Sequence, residues 1–180
     1  MRRKIAYILA IALFIVAAYY GFYDNDKAQA ITYQKPSPIP QFSVNLVYQN
    51  GVPVNKTVSI NDFKGHYTLV NFFASWCPPC KAELPLFEQA YQKFSPYGFR
   101  ILAVSMDDNQ NALMDFLKDK HFTFDVAIHS PGLGSKFNVT GLPTSYLIDP
   151  NGNIIKVIYG EYTTINQDLS GIYTRFNVRR

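Results

Sequence analysis

Both cysteines of this 180-residue chain, Cys77 and Cys80, belong to one Cys-x-x-Cys motif. Residues 67–73 before the motif form an apolar run typical of a buried parallel strand. Residues 84–94 after it carry large apolar side chains at helical spacing, which predicts a helix with one apolar face, kinked at Pro85. A strand that leads straight into a helix begins a βα unit, so the chain is expected to form an α/β fold.

The position of the motif predicts redox chemistry for its cysteines. At a helix N-terminus, unpaired N–H groups and the helix dipole favour a negative charge, so the pKa of the Cys77 thiol should fall and a nucleophilic thiolate should form. Cys80 lies one helical turn later on the same face, where its sulfur can close a disulfide with Cys77 or attack a mixed disulfide. Trp76 is expected to form a flat apolar shoulder beside the exposed sulfur, at which substrate would bind.

The residues between the cysteines indicate the direction of the reaction. Pro78 and Pro79 fit the first helical turn, but they remove two N–H donors that could have stabilised the Cys77 thiolate. No histidine lies between the cysteines to add positive charge. A less stabilised thiolate makes a dithiol easier to oxidise, so the sequence predicts a reductant.

Two other uses of a cysteine pair fit the sequence less well. A zinc site would need two further ligands, and the histidines are scattered and badly spaced for that role, at His66, His121 and His129. A purely structural disulfide across a two-residue gap would constrain the unfolded chain little. We therefore expect no metal and no other cofactor.

The N-terminus predicts the compartment. Three basic residues precede an uncharged apolar run, Ile5 to Tyr23, which is long enough to cross a bilayer. The basic flank should stay cytoplasmic, so the rest of the chain is exported. Residues 1–23 are interpreted as a retained signal anchor, because the run exceeds a usual signal-peptide core; cleavage after Ala30 is the alternative. The expected location is a single-pass protein of the inner (cell) membrane, with its catalytic domain on the periplasmic or extracytoplasmic side.

The net charge of +4 does not indicate a basic binding surface. Three of the positive charges belong to Arg2, Arg3 and Lys4, and the remaining charges almost balance. No Lys/Arg stripe or nucleic-acid-binding motif is present, so nucleic acid is not an expected partner.

The remaining chain divides into a linker and one domain. Residues 24–40 are predicted to be a linker, whose proline-rich part, residues 35–40, is expected to be extended and not strand-like. Residues 41–180 form the predicted domain, which opens with a hairpin around the Asn50-Gly51 turn signal. Further predicted strands are 99–105, 124–128, 145–148 and 154–159; predicted helices are 111–120 and 164–176, with helical turns at 61–65 and 133–137.

The sequence resembles the TlpA/ResA/CcmG(DsbE)-like membrane-anchored thioredoxins over roughly residues 40–158. Two blocks carry the resemblance, residues 70–85 around the cysteines and residues 139–149 with Val-Thr-Gly-Leu-Pro-Thr-Ser-Tyr-Leu-Ile-Asp. The resemblance implies a thioredoxin-like fold, a mixed central sheet flanked by helices, with an N-terminal β-hairpin and a central α/β insertion. It also implies that Pro143 is a cis-proline opposite the cysteines, and that the backbone at Leu142 pairs with an extended substrate segment.

Glu83 is the third catalytic candidate. It lies three residues after Cys80 on the same helix face, and in related proteins a glutamate here tunes the thiols. If it is partly buried, its pKa would rise and it could accept the proton of Cys80. The alternative is an ordinary solvated glutamate. Ordinary thioredoxins carry a buried aspartate six residues before the first cysteine, and here that position is Asn71, which cannot titrate.

The expected activity is a protein-disulfide reductase acting on exported proteins. The resemblance implies apocytochrome c as substrate, during cytochrome c maturation, and a membrane electron donor of the DsbD/CcdA type. A peroxiredoxin-type peroxidase is disfavoured because the Pro-x-x-x-Thr/Ser-x-x-Cys pattern is absent. Two alternatives remain open, a general periplasmic disulfide oxidase or isomerase and a non-catalytic peptide-binding scaffold.

Overall fold

The computed structural model describes residues 35–177, the backbone of residues 30–32, and Ile11, Leu13, Phe14 and Val16. These four residues are helical and exposed. The rest of the predicted anchor, 1–23, lies outside the described residues. Among the described residues, no helix combines the length and the apolar character needed to span a membrane.

The described part of the chain contains one mixed sheet of nine strands. The strands are β1 (Ala30–Thr32), β2 (Ser37–Pro38), β3 (Ser43–Gln49), β4 (Val52–Ser59), β5 (Thr68–Phe73), β6 (Arg100–Ser105), β7 (Asp125–Ile128), β8 (Thr144–Ile148) and β9 (Asn153–Tyr159). Their order across the sheet is β1-β9-β8-β5-β6-β7-β3-β4, and β2 also pairs with β9. Strands β5, β6 and β7 run parallel, whereas the other pairings are antiparallel.

Helices cover the sheet. They are α1 (Pro78–Phe94), α2 (Gln110–Leu117), α3 (Leu133–Lys136) and α4 (Ile165–Asn177), with 3-10 turns at Ile60–Phe63 and Ser95–Tyr97. Side chains alternate along each strand, so Leu69 and Phe73 of β5 join an apolar cluster with α1, while Val70 and Phe72 join a second cluster on the opposite face. The predicted thioredoxin-like fold is confirmed.

The predicted N-terminal hairpin and central insertion are adjacent in the sheet. The hairpin turns at Asn50 and Gly51, both with positive φ (50° and 83°), as expected for an Asn-Gly turn. Its strand β3 pairs with β7, the strand that follows α2. The hairpin and the α2–β7 unit therefore extend one side of the sheet, away from β8 and β9.

The prediction that residues 35–40 are not strand-like is wrong for residues 37–38, and residues 30–32 of the predicted linker also form a strand. Both segments pair antiparallel with β9, with Thr32 opposite Val157 and Ser37 opposite Ile154. Without them β9 would present unpaired backbone groups, and an extended chain can satisfy these even where it contains proline, because proline is tolerated at a sheet edge. The division into a linker and a domain at residue 41 stays a prediction.

Candidate active site

The Cys-x-x-Cys motif lies at the junction of β5 and α1, as predicted. Cys77 is the N-cap of α1, with extended backbone angles (φ −91°, ψ 110°), and its sulfur accepts a hydrogen bond from the backbone N–H of Cys80 at 3.3 Å. The two cysteines form a disulfide with their Cα atoms 5.3 Å apart. The sulfur of Cys77 thus occupies the place where a helix N-terminus stabilises negative charge.

The expectation that the Cys77 sulfur stands exposed beside Trp76 is not met in this oxidised form. Cys77 is 4% exposed and Cys80 is fully buried, whereas Trp76 is 67% exposed. The reason is that both cysteines belong to the apolar cluster beneath α1, against which Leu142 also packs. The indole of Trp76 is therefore far more accessible to solvent than either cysteine.

A buried aspartate holds the loop before the cysteines. Asp107 is 3% exposed and accepts hydrogen bonds from the backbone N–H (2.9 Å) and the hydroxyl (2.7 Å) of Ser75. The hydroxyl of Ser105 donates to the same carboxylate at 2.5 Å. Sequence reasoning missed this contact, although β5 and β6 are parallel neighbours and the residues after their carboxyl ends must meet at one edge of the sheet.

Glu83 is fully buried, so the solvated alternative is wrong. One carboxylate oxygen accepts a hydrogen bond from the side-chain amide of Asn71 at 2.8 Å, and the other accepts from the backbone N–H of Tyr162 at 2.9 Å. Burial raises the pKa of Glu83 to about 8, although these two hydrogen bonds favour the charged form; the negative charge of Glu161 adds to the rise. A carboxyl with this pKa exchanges protons near neutral pH.

Asn71 faces α1 because it shares the face of β5 with Leu69 and Phe73. Its amide nitrogen also donates to the hydroxyl of Ser145 on the neighbouring strand β8, at 2.9 Å. Its amide oxygen is buried and has no hydrogen-bond partner among the described residues. Asn71 thus serves Glu83 as a neutral donor.

The peptide bond between Leu142 and Pro143 is cis, as the resemblance implied. Strand β8 starts directly after it and pairs antiparallel with β5, with Thr144 opposite Phe72, so Pro143 lies at the edge of the sheet where β5 ends and the cysteines follow. Leu142 is half-buried, and its backbone N–H and carbonyl make no hydrogen bond to the backbone of the described loops. The N–H of Gly160 donates to the carbonyl of Pro143 at 2.9 Å.

Two features of this site could not be found in the sequence. The backbone N–H of Tyr162 carries no signal in its residue type, and Ser145 is one of several small polar residues near the motif.

Within the part of the chain that the structure describes, no three His, Cys, Asp or Glu side chains come together as ligands for a metal ion.

The chain matches a known protein family over most of the described domain. The sequence model of the AhpC/TSA family matches residues 37–157. This stretch includes both cysteines, Glu83 and the Leu142–Pro143 bond.

The chain is also similar to characterised proteins and to solved structures. It is 38% identical over 109 residues to the thiol-disulfide oxidoreductase ResA of Bacillus thuringiensis subsp. konkukian, a match that covers 60% of this chain and 63% of that protein. It is 29% identical over 164 residues to ResA of Oceanobacillus iheyensis, covering 90% of this chain and 84% of the relative. A thioredoxin-family thiol:disulfide interchange protein of Chlorobium tepidum superposes with a TM-score of 0.65 at 31% identity, covering 76% of this chain and 94% of that one.

Proposed function

The chain belongs to the AhpC/TSA family and is similar to ResA-type thiol-disulfide oxidoreductases, and from this we propose that it reduces disulfides in exported proteins. The match spans 63% of the length of the first of these relatives. The observation that carries the proposal is the position of Cys77 as the N-cap of α1, with Cys80 within bonding distance.

The reaction proceeds in two exchanges. In the reduced protein, the Cys77 thiolate attacks one sulfur of the substrate disulfide, which forms a mixed disulfide and releases the other substrate sulfur as a thiolate. The Cys80 thiol then loses its proton and attacks Cys77, which releases the second substrate thiol and leaves the Cys77–Cys80 disulfide. Two electrons pass to the substrate in this cycle.

Glu83 accepts the proton that Cys80 gives up. Its carboxyl is buried one helical turn from Cys80, and its pKa of about 8 lies close to that of a thiol. A buried acid and a buried thiol of similar pKa can share a proton without a large free-energy cost, whereas two buried anions could not coexist cheaply.

The substrate docks between Trp76 and the Leu142–Pro143 segment. An extended peptide can pair with the backbone of Leu142, because that residue precedes β8 and stands outside the ladder. The exposed indole of Trp76 offers apolar contact beside the disulfide. Pairing through the backbone does not depend on the side chains of the substrate, so it suits a protein whose clients differ in sequence.

The cellular setting is proposed from the N-terminal sequence and from the relatives. Residues 1–23 anchor the protein in the inner (cell) membrane by a single span, with the catalytic domain on the extracytoplasmic side. Apocytochrome c is the proposed substrate, whose haem-attachment cysteines must be reduced. A membrane donor of the DsbD/CcdA type returns electrons to the Cys77–Cys80 disulfide.

Trapping tests this proposal directly. In the full-length Cys80→Ala protein the second exchange cannot occur, so Cys77 should retain its client as a mixed disulfide that mass spectrometry identifies. The matched control, Cys77→Ala with Cys80→Ala, should retain none. An exported protein with paired cysteines is the expected client, and apocytochrome c in particular. Recovery of no covalent client from cells would overturn the reductase proposal.

A further inference from the structure

The loop between β9 and α4, Gly160 to Thr164, contacts both halves of the candidate site. The N–H of Gly160 donates to the carbonyl of Pro143, and the N–H of Tyr162 donates to the Glu83 carboxylate at 2.9 Å. The position of this loop therefore decides whether one carboxylate oxygen of Glu83 has a donor.

The side chain of Tyr162 fixes that backbone position. The residue is fully buried, and its ring packs edge-on against Phe87 of α1 with the ring centroids 6.3 Å apart. Its hydroxyl donates to the carboxylate of Asp168 at 2.7 Å. One residue thus reaches Glu83 through its backbone and Asp168 through its hydroxyl.

Asp168 is the anchor of this arrangement. The same carboxylate oxygen accepts from Tyr162, from the hydroxyl of Thr164 at 3.1 Å and from the ammonium of Lys156 at 2.5 Å. Lys156 is 4% exposed and its nitrogen lies 5.0 Å from the centre of the Tyr162 ring. The Lys156 ammonium is buried and needs a charged partner, whereas the Asp168 side chain is 22% exposed. The three hydrogen bonds to one carboxylate oxygen hold these groups in one arrangement.

We propose that Tyr162 is a positioning residue for Glu83, held in place by Asp168 and Lys156. The inference rests on the proposed function in taking Glu83 as the proton acceptor. The ion pair connects β9 to the first turn of α4 across the loop, and the loop carries the N–H that Glu83 needs when it is charged. In this role the three residues act on the reacting sulfurs through Glu83.

The direction of the effect follows from the chemistry of the hydrogen bond. A donor to a carboxylate stabilises the charged form, so a displaced Tyr162 N–H raises the pKa of Glu83 above its value in the native protein. The groups that bond to Glu83 or act on its charge are Asn71 of β5 and, in the loop, Glu161 and Tyr162. Ser145 of β8 accepts a hydrogen bond from Asn71. Of these, Asn71 and Ser145 do not titrate, and they stay in place in the variants below.

The experiment measures the titration of Glu83 itself. Carbon-13 NMR follows its carboxyl carbon across pH in the oxidised protein, assigned by the loss of the signal in Glu83→Gln. We expect Tyr162→Phe, which keeps the ring and the backbone N–H, to raise the midpoint of the Glu83 titration by about half a pH unit. The neutral pair Lys156→Met with Asp168→Asn should raise it by about one unit, because hydrogen bonds to charged groups are worth that much.

Single variants separate an effect through the position of the Tyr162 N–H from a direct electrostatic effect of Lys156 and Asp168 on Glu83. If the pair acted only through its charges, Lys156→Met alone would raise the midpoint and Asp168→Asn alone would lower it, while the neutral pair and Tyr162→Phe would leave it unchanged. Tyr48→Phe is the matched control, because it too removes a single tyrosine hydroxyl. That hydroxyl donates to the backbone carbonyl of Lys120 and not to a group that bonds Glu83. Its Glu83 titration should match that of the native protein.

Folding and function are checked apart from this measurement. Thr164→Ala removes only one donor to Asp168 and provides a milder variant should the ion pair prove necessary for folding. The proposal is overturned if the Glu83 midpoint stays unchanged in Tyr162→Phe and in the neutral pair or, should that pair not fold, in Thr164→Ala. A chain that traps no client but shows the shifted titration would instead contradict the proposed function alone.

Discussion

Glu83 and Asn71 face each other across the interface of α1 and β5, with 2.8 Å between the carboxylate oxygen and the amide nitrogen. Both side chains are fully buried. Asn71 supplies a hydrogen bond without supplying a charge, so Glu83 titrates beside a neutral neighbour. The buried Asn71–Glu83 pair thus contains one titrating carboxyl rather than two.

Asn71→Asp should convert this single titration into a coupled one. Two buried carboxyls at hydrogen-bond distance share one proton, because both cannot ionise at moderate cost. We expect one of the two pKa values to move above that of native Glu83, and the free energy of unfolding to fall more steeply with rising pH. Carboxyl NMR titration and urea denaturation at several pH values measure these effects. Asn71→Leu, which adds no charge, is the control and should show one titration. An unaltered pH profile in Asn71→Asp would contradict the coupling.

Glu83→Gln should change how stability depends on pH. The pKa of Glu83 is raised from 4.5 to about 8 by burial, so the folded protein holds this proton more tightly than the unfolded chain does. The resulting stability is fully present below the unfolded value and is lost as pH rises through about 8. The loss amounts to at most about 1.4 kcal/mol per pH unit.

The comparison is made by urea denaturation of both oxidised proteins between pH 5 and pH 8. The glutamine variant lacks this titration, so its stability relative to the native protein should increase with pH. Asp125, whose pKa is also raised by burial, is present in both proteins and cancels from the difference. Parallel stability curves would show that folding does not raise the pKa of Glu83.

The fold could be predicted from the sequence because its signals are local. The alternation along β3 and β4, the Asn50-Gly51 turn and the apolar run of β5 each depend on neighbours a few residues apart, and the structure reproduces them. The edge pairing of residues 30–32 and 37–38 with β9 was missed, because it depends on which strand is left at the edge of the sheet.

The site could be predicted only where residue type carries the chemistry. Cys77 and Cys80 are recognisable from the motif, and Glu83 from its spacing. The burial of Cys77 and the contacts of Asp107 and Tyr162 depend on packing between segments 30 or more residues apart in the chain. No local pattern encodes such distances.

Asp107→Ala should destabilise the protein strongly. The substitution leaves the N–H and hydroxyl of half-buried Ser75 and the hydroxyl of fully buried Ser105 without their shared acceptor. Unsatisfied buried donors of this number cost about 2–4 kcal/mol in the free energy of unfolding. Thermal and urea denaturation measure the loss. Asp108→Ala is the matched control, because the neighbouring side chain is fully exposed and should be replaceable with little change in Tm. Equal effects of the two substitutions would refute the role of Asp107.

Pro79→Ala should lower the pKa of the Cys77 thiol and make the cysteine pair more oxidising. An N-cap side chain accepts hydrogen bonds from the backbone at the second and third helical positions, which here are Pro79 and Cys80. Cys80 already donates to the Cys77 sulfur at 3.3 Å, whereas Pro79 has no N–H to give. Alanine restores that donor, which should lower the thiol pKa by about one unit and stabilise the reduced form.

Thiolate absorbance against pH, in a Cys80→Ala background, measures the change in thiol pKa, and equilibration of the Cys77–Cys80 pair with glutathione measures the change in redox potential. Pro78→Ala restores an N–H at the first helical position, outside the usual reach of the N-cap, and should change neither quantity much. If both substitutions act equally, the missing donor at Pro79 is not what keeps the dithiol reducing.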